Sequence, residues 1–182
     1  MTTIEKIVTA EQLLSAPDLG RCELVRGELN MMSPAGARHG RIVMNLSTPL
    51  DVFVRQHALG TVFGAETGFQ IAHDPDTVRA PDVAFVRAER MGAEPDHGFF
   101  PGAPDLAVEV LSPEDRAGEV QAKVQDWLQS SCREVWVVDP RTRTVTTYRS
   151  RSDIVVLVES DTLSGGDLLP AFNLPVAEIF GR

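Results

Sequence analysis

Short apolar runs with interspersed polar positions recur along the chain, and most are bounded by Gly, Pro or Asp. Runs of this kind are typical of β-strands. The predicted strands are two in CELVRGELNMMS (22–33), one or two in TVFGAETGFQIAH (61–73), PDVAFVR (81–87), DLAVEVLS (105–112), EVWVVDP (134–140) and a hairpin in RTRTVTTYRSRSDIVVLVE (141–159).

Two segments in the first third of the chain have helical signals. A short helix is predicted after Thr9, because Gln12 stands three residues later in a capping-box pattern. A second helix is predicted from Ser33–Pro34 onward, and Pro49 is expected to kink or break it. The apolar face of this helix is formed by Ile42, Val43, Leu46, Leu50 and Phe53.

A third helix is predicted over Ser112–Ser130, between two buried strands. Ser112 suits the N-cap position, Pro113 suits the first helical position, and acids follow in the first turn. Its apolar face is formed by Val120, Val124, Trp127 and Leu128. This helix is expected to be the crossover at the centre of the fold.

The order of these elements predicts an α/β (α+β) fold, in which a central mixed β-sheet is flanked by helices. The length of 182 residues suits one compact domain with its own core. Residues 1–182 are therefore expected to form a single domain, with residues 1–20 as an N-terminal helix and arm. The tail LPAFNLPVAEIF (169–180) is expected to pack on the outside.

Composition excludes several classes of protein. The N-terminal segment is polar and of mixed charge, and no apolar run approaches the length of about 20 residues that a membrane helix needs. Cys22 and Cys132 form neither a disulfide framework nor a zinc-ligand pattern, so a reduced cytoplasmic location and no membrane partner are predicted. The formal charge of −9 argues against non-specific affinity for nucleic acid.

Glu109 stands in the middle of the apolar strand DLAVEVLS, where a charge needs a partner. Residues two apart on a strand share a face, so Leu106, Val108 and Val110 form one face of this strand. The opposite face carries Asp105, Ala107, Glu109 and Leu111. Glu109 must therefore be hydrogen-bonded, neutralised or bound to a cation.

Asp82 begins the preceding strand, and it can converge with Glu109 if the two strands are neighbours. Two carboxylates suit Mg²⁺, which usually takes one or two of them and retains several waters. A purely structural role is also open for each acid. Asp82 could be a turn residue beside Pro81, and Glu109 could be half of an ion pair with an arginine. Asp105 is interpreted as a strand-start residue.

Lys123 is the cation that is best placed to complete such a site. The chain has two lysines, and Lys123 lies one helical turn from both Val120 and Trp127. Its ammonium group could therefore reach over the sheet toward Glu109, although a surface lysine that covers apolar residues has the same pattern. Four arginines frame the last hairpin and either contact DNA phosphates or protect a sheet edge: Arg141, Arg143, Arg149 and Arg151.

Three stretches resemble the putative restriction endonuclease family of the PD-(D/E)XK nuclease superfamily. They are RAPDVAFV (79–86), GAPDLAVEVLSPEDR (102–116) and EVWVVDPRTRTVTTYR (134–149), and the resemblance also takes in residues 22–46 and 169–180. The resemblance covers nearly the whole chain. It implies a restriction-endonuclease-like fold and phosphodiester hydrolysis assisted by Mg²⁺ or Mn²⁺.

Carried over residue by residue, the resemblance makes Asp82 and Glu109 the metal ligands. The lysine position of the family tripeptide is Leu111 here, and Leu cannot polarise a water molecule. Lys123 then resembles the migrated lysine that some branches of the superfamily use. The family often adds an N-terminal glutamate, for which Glu28 is preferred over Glu23. His39 also matches the family pattern, with no role that the sequence reveals.

Three functions remain open from the sequence. The leading prediction is a divalent-metal-dependent endonuclease with DNA as its substrate. The resemblance also implies that it acts as a homodimer. The alternative is a catalytically inactive DNA-binding or oligomerisation module on the nuclease fold, which Leu111 and the acidic net charge favour. A third class is a metal-dependent hydrolase of a small phosphoester that uses the same acids.

Overall fold

A computed structural model describes residues 9–16 and 19–181. The α-helices are α1 (Ala10–Leu14), α2 (Ala37–Gln56), α3 (Ala117–Gln129) and α4 (Val176–Phe180), and a 3-10 helix covers Ala88–Ala93. The strands are β1 (Cys22–Val25), β2 (Glu28–Met31), β3 (Gly60–Gly64), β4 (Phe69–Ala72), β5 (Thr77–Arg79), β6 (Val83–Arg87), β7 (Phe100–Pro101), β8 (Leu106–Val110), β9 (Glu134–Asp139), β10 (Thr144–Tyr148), β11 (Ile154–Leu157), β12 (Thr162–Ser164) and β13 (Asn173–Pro175).

The central sheet has six strands in the order β11-β10-β9-β8-β6-β3. Its β8–β9 pair is parallel and the other pairs are antiparallel, so the predicted mixed α/β class is confirmed. The connection between the parallel strands is α3, which is the predicted crossover. A second sheet has the order β2-β1-β5-β4-β7, and β12 pairs with β13.

Both faces of the central sheet are buried, which explains why its middle strands are so apolar. One face of β8, formed by Leu106, Val108 and Val110, joins the apolar layer that α2 covers. On the other face, Ala107 and Leu111 join the layer that α3 covers with Val124 and Trp127. The predicted division of β8 into two faces is therefore confirmed.

The first hairpin and the first helix follow local sequence signals. In α1, the Thr9 side chain accepts from the Gln12 amide, and the Gln12 side chain accepts from the Thr9 amide. The β1–β2 register pairs Val25 with Glu28, which leaves Arg26 and Gly27 as the turn. Both turn residues have positive φ, a conformation that Gly27 adopts without strain. The predicted arm falls largely on residues 1–8, which lie outside the described residues.

The predicted beginnings of the two long helices are wrong by several residues. Helix α2 begins at Ala37 after Gly36, and α3 begins at Ala117 after Arg116. In front of α3, the Asp115 carboxylate accepts from the Ser112 amide at 2.7 Å. This side-chain bond satisfies the amide locally and holds residues 112–115 in a turn, which competes with helix formation.

Pro49 does not break α2, which continues from Ala37 to Gln56. The proline removes one backbone hydrogen bond, but Leu46 and Leu50 on either side of it are fully buried. Tertiary packing of this apolar face therefore outweighs the local loss.

The expectation that the tail packs on the outside is wrong. Leu169, Val176 and Ile179 are fully buried in the same apolar layer as α2. The Asn45 amide group also donates to the Ile179 carbonyl at 3.1 Å. The tail therefore completes the core. In the described part of the chain, no helix is both long and apolar enough to span a bilayer.

Candidate active site

Asp82 and Glu109 lie side by side on neighbouring strands. The β6–β8 register pairs Val83 with Val108, so Asp82 and Glu109 follow one position further along the two strands. The Asp82 amide donates to the Val108 carbonyl at 3.0 Å. The Asp82 Oδ2 atom accepts from the Val110 amide at 2.7 Å. The two strands are neighbours, so the condition for Asp82 and Glu109 to converge is met.

Glu109 is 6% exposed and is held by two groups of α3. Its Oε1 atom accepts a hydrogen bond from the Trp127 indole Nε1 at 2.8 Å. Its Oε2 atom lies 3.4 Å from the Lys123 ammonium group. These contacts explain how an apolar strand tolerates a carboxylate. The partner is a lysine rather than the arginine of the structural alternative.

Lys123 points into the carboxylates rather than toward solvent. Its Nζ atom lies 3.4 Å from Glu109 Oε2 and 3.5 Å from Glu23 Oε1, and its side chain is 27% exposed. Leu111, at the tripeptide position, is a partly buried member of the apolar layer on the α3 side. The lysine that accompanies the acids therefore comes from the helix and not from the strand.

Glu23, and not Glu28, faces this site. Glu23 is 2% exposed, and its Oε1 atom also accepts from the Ala80 amide at 3.1 Å. Glu28 is exposed beside the hairpin turn, opposite Val25. The sequence did hold a signal for Glu23. It lies within the apolar strand CELV, so the burial argument used for Glu109 applies to it equally.

A matched pair of substitutions tests this assignment. We expect Glu23→Gln to lower, at least about tenfold, the phosphodiester cleavage that the family resemblance implies, since a carboxylate that contacts Lys123 is lost. Glu28→Gln should leave the cleavage rate unchanged, because that side chain is exposed. Initial rates at pH 8 check the prediction, with melting temperatures to establish folding. A larger loss in Glu28→Gln than in Glu23→Gln would contradict the placement.

A buried arginine holds Glu23 in place, and sequence reasoning missed it. Arg79 is 5% exposed and donates from Nη1 to Glu23 Oε2 at 2.7 Å. Its Nη2 atom donates to Asp126 Oδ2, and the other Asp126 oxygen accepts from Arg26 at 3.0 Å. This chain of ion pairs links α3 to the second sheet. It fixes Glu23 beside Lys123.

His39 extends the site from the first turn of α2. Its Nε2 atom lies 3.2 Å from Asp82 Oδ2, and its side chain is 13% exposed. The hydrogen bond to Asp82 raises the pKa of His39, although burial opposes the shift. Oδ2 of Asp82 thus has two partners, His39 and the Val110 amide. Oδ1 is the oxygen for which the described residues show no hydrogen bond.

The electrostatics of the site are set by three acids around one lysine. Burial raises the pKa of Glu109 to about 7; Lys123 opposes this shift, whereas Glu23 and Asp82 add to it. Burial would lower the pKa of Lys123, but Glu109 and Glu23 raise it above its usual value. Asp82 and Glu109 therefore repel one another, and a cation bound between them would relieve this repulsion.

The donors fit a hard, partly hydrated cation. Among residues 9–16 and 19–181, no group of three or more His, Cys, Asp and Glu side chains is arranged to enclose a metal ion. Mg²⁺ does not need such a cage, because it is commonly held by one or two carboxylates and retains several waters. Asp82 and Glu109 supply two carboxylates on adjacent strands, so the residues present fit Mg²⁺ or Mn²⁺.

Other charged candidates take structural roles. The Asp105 carboxylate binds Arg87 and Arg90, each at 3.0 Å, which agrees with its interpretation as a strand-start residue. Arg143 pairs with Glu159, and Arg149 lies 3.4 Å from Glu134. These two hairpin arginines therefore have partners within the chain.

The structure defines a mixed α/β protein with two acids on adjacent strands and a lysine on the crossover helix. The chain belongs to the Uma2 family, described as "Putative restriction endonuclease", whose model matches residues 9–177. The family that the sequence resembles is thereby confirmed, and this membership supports a nuclease function.

A solved structure shares the fold. It is described as a putative nuclease belonging to DUF820 from Anabaena variabilis, with a TM-score of 0.82 and 20% sequence identity. The match covers 95% of this chain and 97% of the other. Among curated proteins, no match is found.

Proposed function

We propose that this protein is a divalent-metal-dependent endonuclease that hydrolyses phosphodiester bonds of DNA. The observation that carries the proposal is the position of Lys123, whose ammonium group lies 3.4 Å from Glu109 and 3.5 Å from Glu23. A lysine that only covers apolar surface would point to solvent. Here its charge is directed at buried acids, beside the residues proposed to hold a cation.

The proposed roles follow from the contacts of each side chain. Asp82 and Glu109 hold Mg²⁺ or Mn²⁺, which when bound neutralises charge on the phosphoryl group and its leaving oxygen. Lys123 binds the phosphate and orients the attacking water. Glu23 takes the place proposed for Glu28 and positions Lys123. Trp127 donates to Glu109 and fixes its orientation.

DNA is proposed as the substrate because the family is described as "Putative restriction endonuclease", and restriction endonucleases act on DNA. The cytoplasmic location and the homodimer remain predictions. Leu111 and the net charge of −9 favour the alternative, an inactive module on the nuclease fold. The two proposals differ in one respect that can be measured: only the enzyme needs a metal to act on DNA.

Incubation of the purified protein with supercoiled plasmid and with single-stranded DNA tests the proposal. We expect cleavage with Mg²⁺ or Mn²⁺ and none with a chelator, because the carboxylates alone cannot neutralise the phosphate. Calorimetry should detect binding of the same metal. If no condition gives cleavage and no metal binds, the catalytic proposal fails and the inactive module is supported.

A further inference from the structure

Strand β11 forms one edge of the central sheet and is unusually apolar. Ile154, Val155 and Val156 are 47%, 42% and 59% exposed, and Val158 beyond the strand is 48% exposed. Residues 154–158 contain no charged residue and no proline, which are the usual protections of an edge. The opposite edge, β3, is mostly half-buried and packs against α2.

The exposed residues lie on both faces of the strand. Side chains alternate along β11, so Ile154 and Val156 point to one face and Val155 points to the other. Of the strand's residues, Leu157 alone is partly buried, against the layer that α2 covers. A helix docked on one face would leave the other face exposed. A further strand that continues the sheet would cover both.

Charges at the two ends of β11 determine which strand can add there. The turn before it carries Arg149, Arg151 and Asp153, and the turn after it carries Glu159 and Asp161. The first turn is therefore net positive and the second is net negative. A second β11 placed antiparallel sets the basic turn of each copy beside the acidic turn of the other. A parallel copy would place like charges together.

We propose that β11 pairs antiparallel with β11 of a second copy about a two-fold axis, which joins the two central sheets into one. In the register that pairs Ile154 with Val156, Arg151 lies opposite Glu159 of the partner subunit, and the contact occurs twice by symmetry. Glu159 already binds Arg143 in its own chain, and a carboxylate has room for a second guanidinium.

The interface is short, so the dimer is weak. It joins strands of only four residues, so we expect it to bury less than the roughly 1,200 Å² of a stable interface. We therefore expect dissociation at micromolar concentrations. The proposal is independent of the proposed nuclease function, because its test measures oligomeric state and not cleavage.

Sedimentation velocity over a range of protein concentrations tests whether β11 forms a dimer interface. We expect a monomer–dimer equilibrium that Val156→Lys weakens at least about tenfold, since lysine on an edge opposes strand pairing. Val52→Lys is the matched control: Val52 lies on α2 and is 47% exposed, so the dimer should persist. A wild-type monomer at all concentrations, or equal dimerisation of Val156→Lys, overturns the proposal.

A mixing experiment tests the antiparallel arrangement. Arg151→Glu alone places acids opposite each other at both ends, and Glu159→Arg alone places arginines opposite each other. Each variant should therefore dimerise more weakly than the wild type. An equimolar mixture should recover dimers, because both ends of the mixed dimer then pair opposite charges. If the mixture dimerises no better than either variant, the two-fold antiparallel pairing is wrong.

Discussion

Glu109→Gln is expected to abolish metal-dependent cleavage, with a loss of about a thousandfold or more in rate. Glutamine keeps the size of the side chain, and its oxygen can still accept from the Trp127 indole. It lacks the negative charge that binds a cation and that pairs with Lys123. The loss therefore reports the charge itself and not a packing defect. Single-turnover cleavage of labelled DNA at pH 8 measures it.

The same substitution should stabilise the metal-free protein at pH 8. The pKa of Glu109 is raised from 4.5 to about 7, so the folded state binds its proton more tightly than the unfolded state. Stability is then highest below about pH 4.5 and decreases as the pH rises toward 7. Each pKa unit corresponds to about 1.4 kcal/mol, which gives a loss of about 3 kcal/mol that glutamine avoids.

Urea unfolding at pH 5 and pH 8, with a chelator present, measures this difference. Glu119→Gln, an exposed glutamate on α3, is the matched control and should change neither activity nor stability. A Glu109→Gln variant that retains cleavage would remove Glu109 from the proposed site. A variant that is less stable at pH 8 than the wild type would contradict the electrostatic argument.

Lys123→Met should lose cleavage as severely as Glu109→Gln, but with the opposite effect on stability. Methionine preserves the apolar stem and removes the ammonium group that contacts Glu23 and Glu109. Breaking a buried ion pair costs about 3 kcal/mol or more, because the remaining charges lack a partner. We expect this loss at pH 8, above the raised pKa of Glu109, where that carboxylate is ionised. It should diminish near pH 5, where Glu109 is protonated.

In the Lys123→Met variant, a loss of cleavage that is caused by unfolding can be distinguished from a loss that is caused by the missing ammonium group. The double variant Glu109→Gln, Lys123→Met removes one charge of each sign and leaves the Glu23–Arg79 pair intact, so it should regain part of the stability without regaining cleavage. Binding of Mg²⁺ or Mn²⁺ should persist in Lys123→Met, since Asp82 and Glu109 remain. Retained cleavage in a folded Lys123→Met protein would show that the lysine is structural.

The strand period and the helix spacing marked Glu109 and Lys123 as candidates, and the family resemblance supplied their predicted roles. Glu109 stood out because its neighbours in the strand are apolar, and the structure accordingly gives it two buried partners on α3. Lys123 was predicted from its spacing to Val120 and Trp127, and it does lie on the sheet-facing side of α3. Both inferences depend on local geometry, which the order of residues dictates directly.

The predictions that were wrong concern competition between local and distant contacts. Helix α3 begins at Ala117 and not at the predicted Ser112, because the Asp115 side chain accepts from the Ser112 amide within a turn. The choice between Glu23 and Glu28 could not be made locally, since both lie in one hairpin. Arg79, 56 residues from Glu23, decides it by binding that acid.

The sequence by itself predicted the mixed sheet, a carboxylate at Glu109 within an apolar strand and a lysine at the edge of the apolar face of the crossover helix. These features follow from alternation and helical periodicity, which act over a few residues. Only the tertiary structure decided that Glu23 joins the site, that Arg79 and Asp126 hold it there and that the tail completes the core. Those contacts link segments far apart in the chain, and their free energy depends on burial that exists only after the sheets and helices have packed.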